Sequence, residues 1–129
     1  LHTLAVGAVN ASGLYASFSS IGPSFDGRVK PDVAAQGVQV VVANPSGTTR
    51  LANGTSFSGP ITAGMVACLW QALPTKTNAE IIQIIKQSAS IYANPTPQLG
   101  YGIPNYNTAL STTLGISEAE KGIVLLYPN

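Results

Sequence analysis

The sequence predicts an α/β fold, and three stretches carry that prediction. Leu4 to Val9 (LAVGAV) and Val38 to Ala43 (VQVVVA) are short, apolar, β-rich runs that read as buried strands. A longer run from Thr55 or Ser56 to about Leu73 reads as a helix that is apolar nearly all round, through Ile61, Ala63, Met65, Val66, Ala67, Leu69 and Trp70. Such a helix belongs in the centre of a domain, covered on both sides.

Taken in order, the first strand is bounded by Asn10 and Gly13. The following YASFSSIGPSFDGRVKPD is dense in Ser, Gly and Pro and predicts loop with short extended pieces. NPSGTT from Asn44 is a turn after the second strand, and the run from there to Asn53 reads as loop. Pro74 stops the long helix, along which Gly59, Ala63, Gly64 and Ala67 allow close approach by neighbours. Thr77-Asn78-Ala79-Glu80 is a capping box. It opens a surface helix whose inner face carries Ile81, Ile82, Ile84 and Ile85. A tight Gly100-Tyr101-Gly102 turn precedes Pro104 and a short helix from Asn105 to Leu110. Ser111 to Gly115 is linker-like, Ser117 to Glu120 caps one further turn, and Ile123 to Tyr127 reads as a strand. Residues 1–110 are therefore expected to form one unit, and 111–129 a linker and the start of another module.

Composition narrows the functional classes. At 129 residues the chain suffices for one domain with a real core. A net charge of +1 disfavours nucleic acid or an anionic membrane as main partner. Only 9% of residues are charged, beside 45% hydrophobic, where about 25% charged is ordinary. Two readings fit: a piece of something larger, or a secreted protein with a polar, uncharged surface. Cys68, the single cysteine, lies in VACLWQAL and is expected to be a buried small hydrophobe. The longest apolar run, Ala63 to Leu73, is shorter than the roughly 20 residues of a membrane span. The chain begins at Leu1, not Met, so the start of the gene product is expected to be missing.

The chemistry concentrates in NGTSFSGPITAGM, Asn53 to Met65, which sets Ser56 at the mouth of an apolar helix. A hydroxyl there either caps the helix or attacks a substrate. A catalytic serine needs access, a base and donors for the oxyanion it creates. Free N–H groups and the helix dipole supply part of the last. Gly54 lets substrate backbone come close, and Pro60 in the early helix costs few hydrogen bonds. The nucleophile elbow G-x-S-x-G does not fit, because its fifth position is Ser58 and no strong strand runs into it.

Gly54-Thr55-Ser56-Phe57-Ser58-Gly59-Pro60 resembles the serine signature of the subtilisin-like proteases, the subtilases. A chance match to its five fixed positions is on the order of 10⁻⁴ over a chain this long. LAVGAVNASGLYASFSSIGP, GRVKPDVAAQGVQV and YGIPNYNTAL are similar to further family segments in the family's order, so the resemblance covers Leu4 to Leu110. It implies the C-terminal portion of a doubly wound, mostly parallel α/β sheet, with Ser56 the nucleophile and its N–H an oxyanion donor. It also implies a serine endopeptidase acting on proteins or peptides, secreted or at the cell surface. Gln36 stands where the family commonly has Pro, and Ile61-Thr62 where it has His-Val; neither position carries the chemistry.

The larger departure is what this chain lacks. In subtilases the catalytic Asp and His, and the Asn that donates to the oxyanion, lie upstream of the serine and of the segments matched here. His2, the only histidine, falls after all of them and is read as a flanking residue. Asp26 and Asp32 are read as loop or backbone-capping carboxylates. The expected partner is thus the missing N-terminal part of the same catalytic domain, and the chain alone is expected to be inactive. No cofactor is implied; calcium sites are common in the family, but five scattered carboxylates form no ligand cluster. A non-catalytic binding or scaffold module on the same fold is the alternative. At the end, Tyr127-Pro128-Asn129 resembles the start of the sorting domain on proteins exported by type IX secretion, with a plain interdomain linker as the other reading.

Overall fold

The computed structural model describes residues 3–115. His2 and the expected turn and strand between Ser117 and Tyr127 lie outside them. Strands β1 (Val6–Val9) and β2 (Val33–Gln36) pair in parallel, Val6 opposite Val33 and Val9 opposite Gln36. The α/β expectation holds, with helix α1 (Thr55–Ala72) packed across both strands. Helices α2 (Asn78–Gln87) and α3 (Tyr106–Leu114) close the same side. Val33, Leu69, Leu73, Ile81, Ile85, Ala89, Ala109 and Leu110 form the core where β2 meets the three helices.

The long β1–β2 connection doubles back on the strand it leaves. Asn10 Oδ1 accepts from the Ser12 and Leu14 amides and turns the chain. Ser19 Oγ then accepts the Ala8 N–H at 2.9 Å, and the Ala16 N–H donates to the Ala8 carbonyl. The polar edge of β1 is satisfied there by its own loop, which explains why Ser19 is buried.

Asp32 ties the entry to the sheet. It is buried, its Oδ2 accepts the Ala5 N–H at 2.8 Å, and Lys30 and Lys86 pair with it. Lys86 also lies 4.7 Å from the centroid of the Tyr101 ring, so one ammonium joins α2 to the turn before α3. That turn abuts β2 so closely that a Cβ on Gly100 would sit 1.9 Å from the Pro31 carbonyl oxygen. Gly100 also holds φ 60°, so both space and backbone select glycine. The backbone-capping reading of Asp32 is borne out. Asp26 is a loop carboxylate, bound by Ser24 Oγ at 2.6 Å and by Arg28 Nε at 2.8 Å.

Several expectations are corrected. Residues 49–52 are a strand, not a loop: β4 (Thr49–Ala52) forms an antiparallel hairpin with β3 (Val40–Ala43) about the Asn44 turn. Because β3 sits in this two-stranded ribbon, its side chains alternate between half-buried and exposed rather than being buried throughout. β2 was not foreseen as a strand. α1 is covered on one side only among the described residues; Ile61, Met65 and Trp70 are exposed. Cys68 lies on that open side and is exposed, not buried. α3 continues four residues past Leu110, through the segment expected to be linker, and ends on Gly115 in the left-handed conformation.

Candidate active site

Helix α1 starts at Thr55, which makes Ser56 its second residue. Gly54 is the N-cap and no side chain caps the helix, so the capping role expected for Ser56 is not the one it plays. Ser56 is exposed. Among the described residues neither its N–H nor that of Thr55 has a backbone acceptor, whereas the Phe57 N–H turns back to the Gly54 carbonyl. A hydroxyl and two free amides thus share the positive end of an 18-residue helix. No acidic side chain lies in the first turn to offset that field.

Pro60 is the sixth helical residue, within the first two turns as expected. It has no N–H to offer the Ser56 carbonyl one turn earlier. The Ser56 carbonyl therefore loses its helical donor, while the Ser56 amide is free because it lies in the first turn of the helix.

The mouth of α1 is held from the side by the segment after β2. The Gly54 N–H donates to the Gly37 carbonyl at 2.7 Å. A Cβ on Gly37 would lie 2.5 Å from Ser58 Oγ and 2.8 Å from both Ala8 Cβ and the Gly54 carbonyl oxygen. Only a residue without a side chain lets strand end and helix start meet this closely. Two residues on, Gln39 takes φ 52°, and its N–H donates to Asn53 Oδ1 at 2.7 Å. Sequence reasoning missed Gly37, Gln39 and Asn53; a positive φ at glutamine leaves no mark in composition or periodicity. On its other flank, Thr55 lines an open cleft with Gly7, Ser19, Ile21 and Lys30.

No general base faces Ser56 among the described residues. Asp26 and Asp32 are committed to the partners above, and hydrogen bonds from Ser24 and then Arg28 hold the Asp26 carboxyl below its usual range. No group of three or more His, Cys, Asp or Glu side chains able to hold a metal ion occurs among the described residues. No described helix is long and apolar enough to cross a membrane.

The described residues thus form an α/β unit with an exposed serine at the mouth of a sheet-packed helix. The chain belongs to the subtilase family, whose model matches residues 2–107. It is 38% identical over 107 residues to subtilisin NAT of Bacillus subtilis subsp. natto, covering 83% of this chain and 26% of that protein. The self-cleaved protease domain of PatA superposes with a TM-score of 0.71 at 30% identity, over 88% of this chain and 42% of that one. The CspB protease of Clostridium perfringens shares the fold at a TM-score of 0.75 and 22% identity, over 87% of this chain and 26% of its own. The chain spans about a quarter of the length of the curated relative it matches.

Proposed function

We propose that this chain is the nucleophile-bearing part of a secreted or cell-surface serine endopeptidase, and that Ser56 is the nucleophile. The observation that carries the reading is the exposed Ser56 hydroxyl beside its own unpartnered N–H at the start of α1. In the reaction, Ser56 Oγ forms a bond to the scissile carbonyl carbon as its proton passes to a base. The carbonyl oxygen takes the electron pair and is met by the Ser56 N–H. Collapse breaks the C–N bond, the base returns its proton to the leaving amine, and water then hydrolyses the acyl-serine.

The base must come from a part of the protein beyond these residues, as must a second oxyanion donor. Loss of the base alone costs a serine protease of this type about 10⁶ in turnover. The 129 residues by themselves are therefore inactive, and their functional partner is the N-terminal part of the same catalytic domain. The substrates are proteins or peptides.

A fluorophosphonate probe, which reports serine nucleophilicity directly, tests the reading. It is expected to label the full-length protein at Ser56, to lose that label in S56A, and to leave the isolated chain unmodified. Casein hydrolysis that survives S56A would sink the assignment. An unlabelled, inactive full-length protein would favour a binding or scaffold module on the same fold.

A further inference from the structure

We infer that Asn53 is a positioning residue for Ser56, acting through the strained backbone of Gln39; the inference rests on the assignment of Ser56 as nucleophile. Gln39 is the only non-glycine residue with positive φ among the described residues, at 52°. Side chains other than glycine's resist that conformation, so it persists only where neighbours hold it. What holds it is Asn53, whose Oδ1 accepts the Gln39 N–H at 2.7 Å across 14 residues of sequence. Asn53 lies three residues before Ser56. The next residue, Gly54, is bound to the same segment through the Gly37 carbonyl at 2.7 Å.

Two hydrogen bonds from adjacent residues thus clamp the approach to α1 onto the 37–39 turn, with Gly37 packed against Ser58 beneath them. The β3–β4 hairpin leaves from the same turn and returns at Asn53, so its closing end is the clamp itself. Breaking the Asn53 bond frees Gln39 to relax to negative φ. That relaxation moves the chain entering Gly54 and shifts the Ser56 hydroxyl relative to any bound carbonyl. A side chain touching no substrate then sets the angle of attack, and angstrom-scale misplacement is costly in turnover.

The experiment uses the full-length protein, with kcat expressed per serine titrated by the fluorophosphonate probe so that unfolded molecules do not count. N53A is expected to lower kcat by about 10- to 100-fold with KM within about twofold. N53D, which keeps an acceptor at the same position, should stay close to wild type. Adding Q39G to N53A should recover most of the loss, because glycine holds positive φ without a clamp. A purely structural role for Asn53 would change the titratable fraction and leave kcat per site alone. An N53A enzyme with unchanged kcat per site, or a Q39G/N53A enzyme no better than N53A, would overturn the positioning role while leaving Ser56 as nucleophile. Labelling that persists in S56A would remove the nucleophile assignment and this role together.

Discussion

Ser56 and Ser58 stand two positions apart and live in opposite surroundings. The first is exposed; the second is fully buried against Gly37, with its Oγ unpartnered among the described residues. A helix turns about 200° over two residues, so one hydroxyl faces solvent while the other faces the sheet. S58A, which removes a buried hydroxyl that makes no hydrogen bond, should leave the urea midpoint unchanged or raise it. G37A should lower stability by about 1–3 kcal/mol, because its new Cβ has nowhere to go. Combining the two should return part of that loss, since the nearest obstacle to the Cβ is Ser58 Oγ itself. Equal midpoints for G37A and wild type would show that the strand end can back away from the helix.

At the scale of elements, α2 is the clearest case of sequence fixing structure. Thr77 Oγ1 accepts the Glu80 N–H, and Glu80 accepts the Thr77 N–H at 2.9 Å, the reciprocal pair its four residues predict. T77A should cost about 1 kcal/mol, measured as a shift in thermal or urea midpoint. The Thr77 amide first, then Lys76 and the Thr77 hydroxyl, hold the Glu80 carboxyl down to about 2, against 4.5 unperturbed. A folded-state value below the unfolded one means that the stabilisation is complete above pH 4.5 and is lost as pH falls towards 2. E80Q should flatten the stability profile in that window and lower stability near neutrality, where the wild-type carboxylate contributes in full, which acid titration of the melting midpoint would reveal.

The elements that sequence reading missed share a cause. β2 is Val-Ala-Ala-Gln and β4 is Thr-Arg-Leu-Ala; neither has the density of branched or aromatic residues that marks a strand alone. β2 exists because β1 offers a parallel edge and α1 covers it, and β4 because the Asn44 turn returns it onto β3. The end of α3 was hidden similarly. Ser111, Thr112 and Thr113 are weak helix formers, yet Ser111 is buried and Thr113 Oγ1 donates back to the Ala109 carbonyl at 2.7 Å. The site divides the same way. Ser56 was legible from its motif, whereas the 37–39 turn that holds it depends on one backbone angle and a contact made across the hairpin.

Across the whole molecule, α1 ends up half dressed. Leu69 reaches the core while Ile61, Met65 and Trp70 stay exposed among the described residues. Exposed apolar groups grouped on one helix mark a surface that binds something. Prepared alone, the chain should self-associate at micromolar concentration. I61S/M65S should shift its sedimentation towards monomer with little loss of melting temperature, since both side chains are exposed. A chain already monomeric would remove that reading of the face.

Cys68, exposed on that same helix, turns the question into one of timing. It is the only thiol in the chain and lies twelve residues beyond Ser56, about 18 Å along the axis. A maleimide or a small fluorophore placed there reports on the open side of α1 while leaving the serine untouched. Its rate of modification would fall as a covering segment docks, so one chemistry follows assembly and the other follows attack. Run as a time course, the two reactions would say whether the helix is sheathed before its hydroxyl becomes reactive.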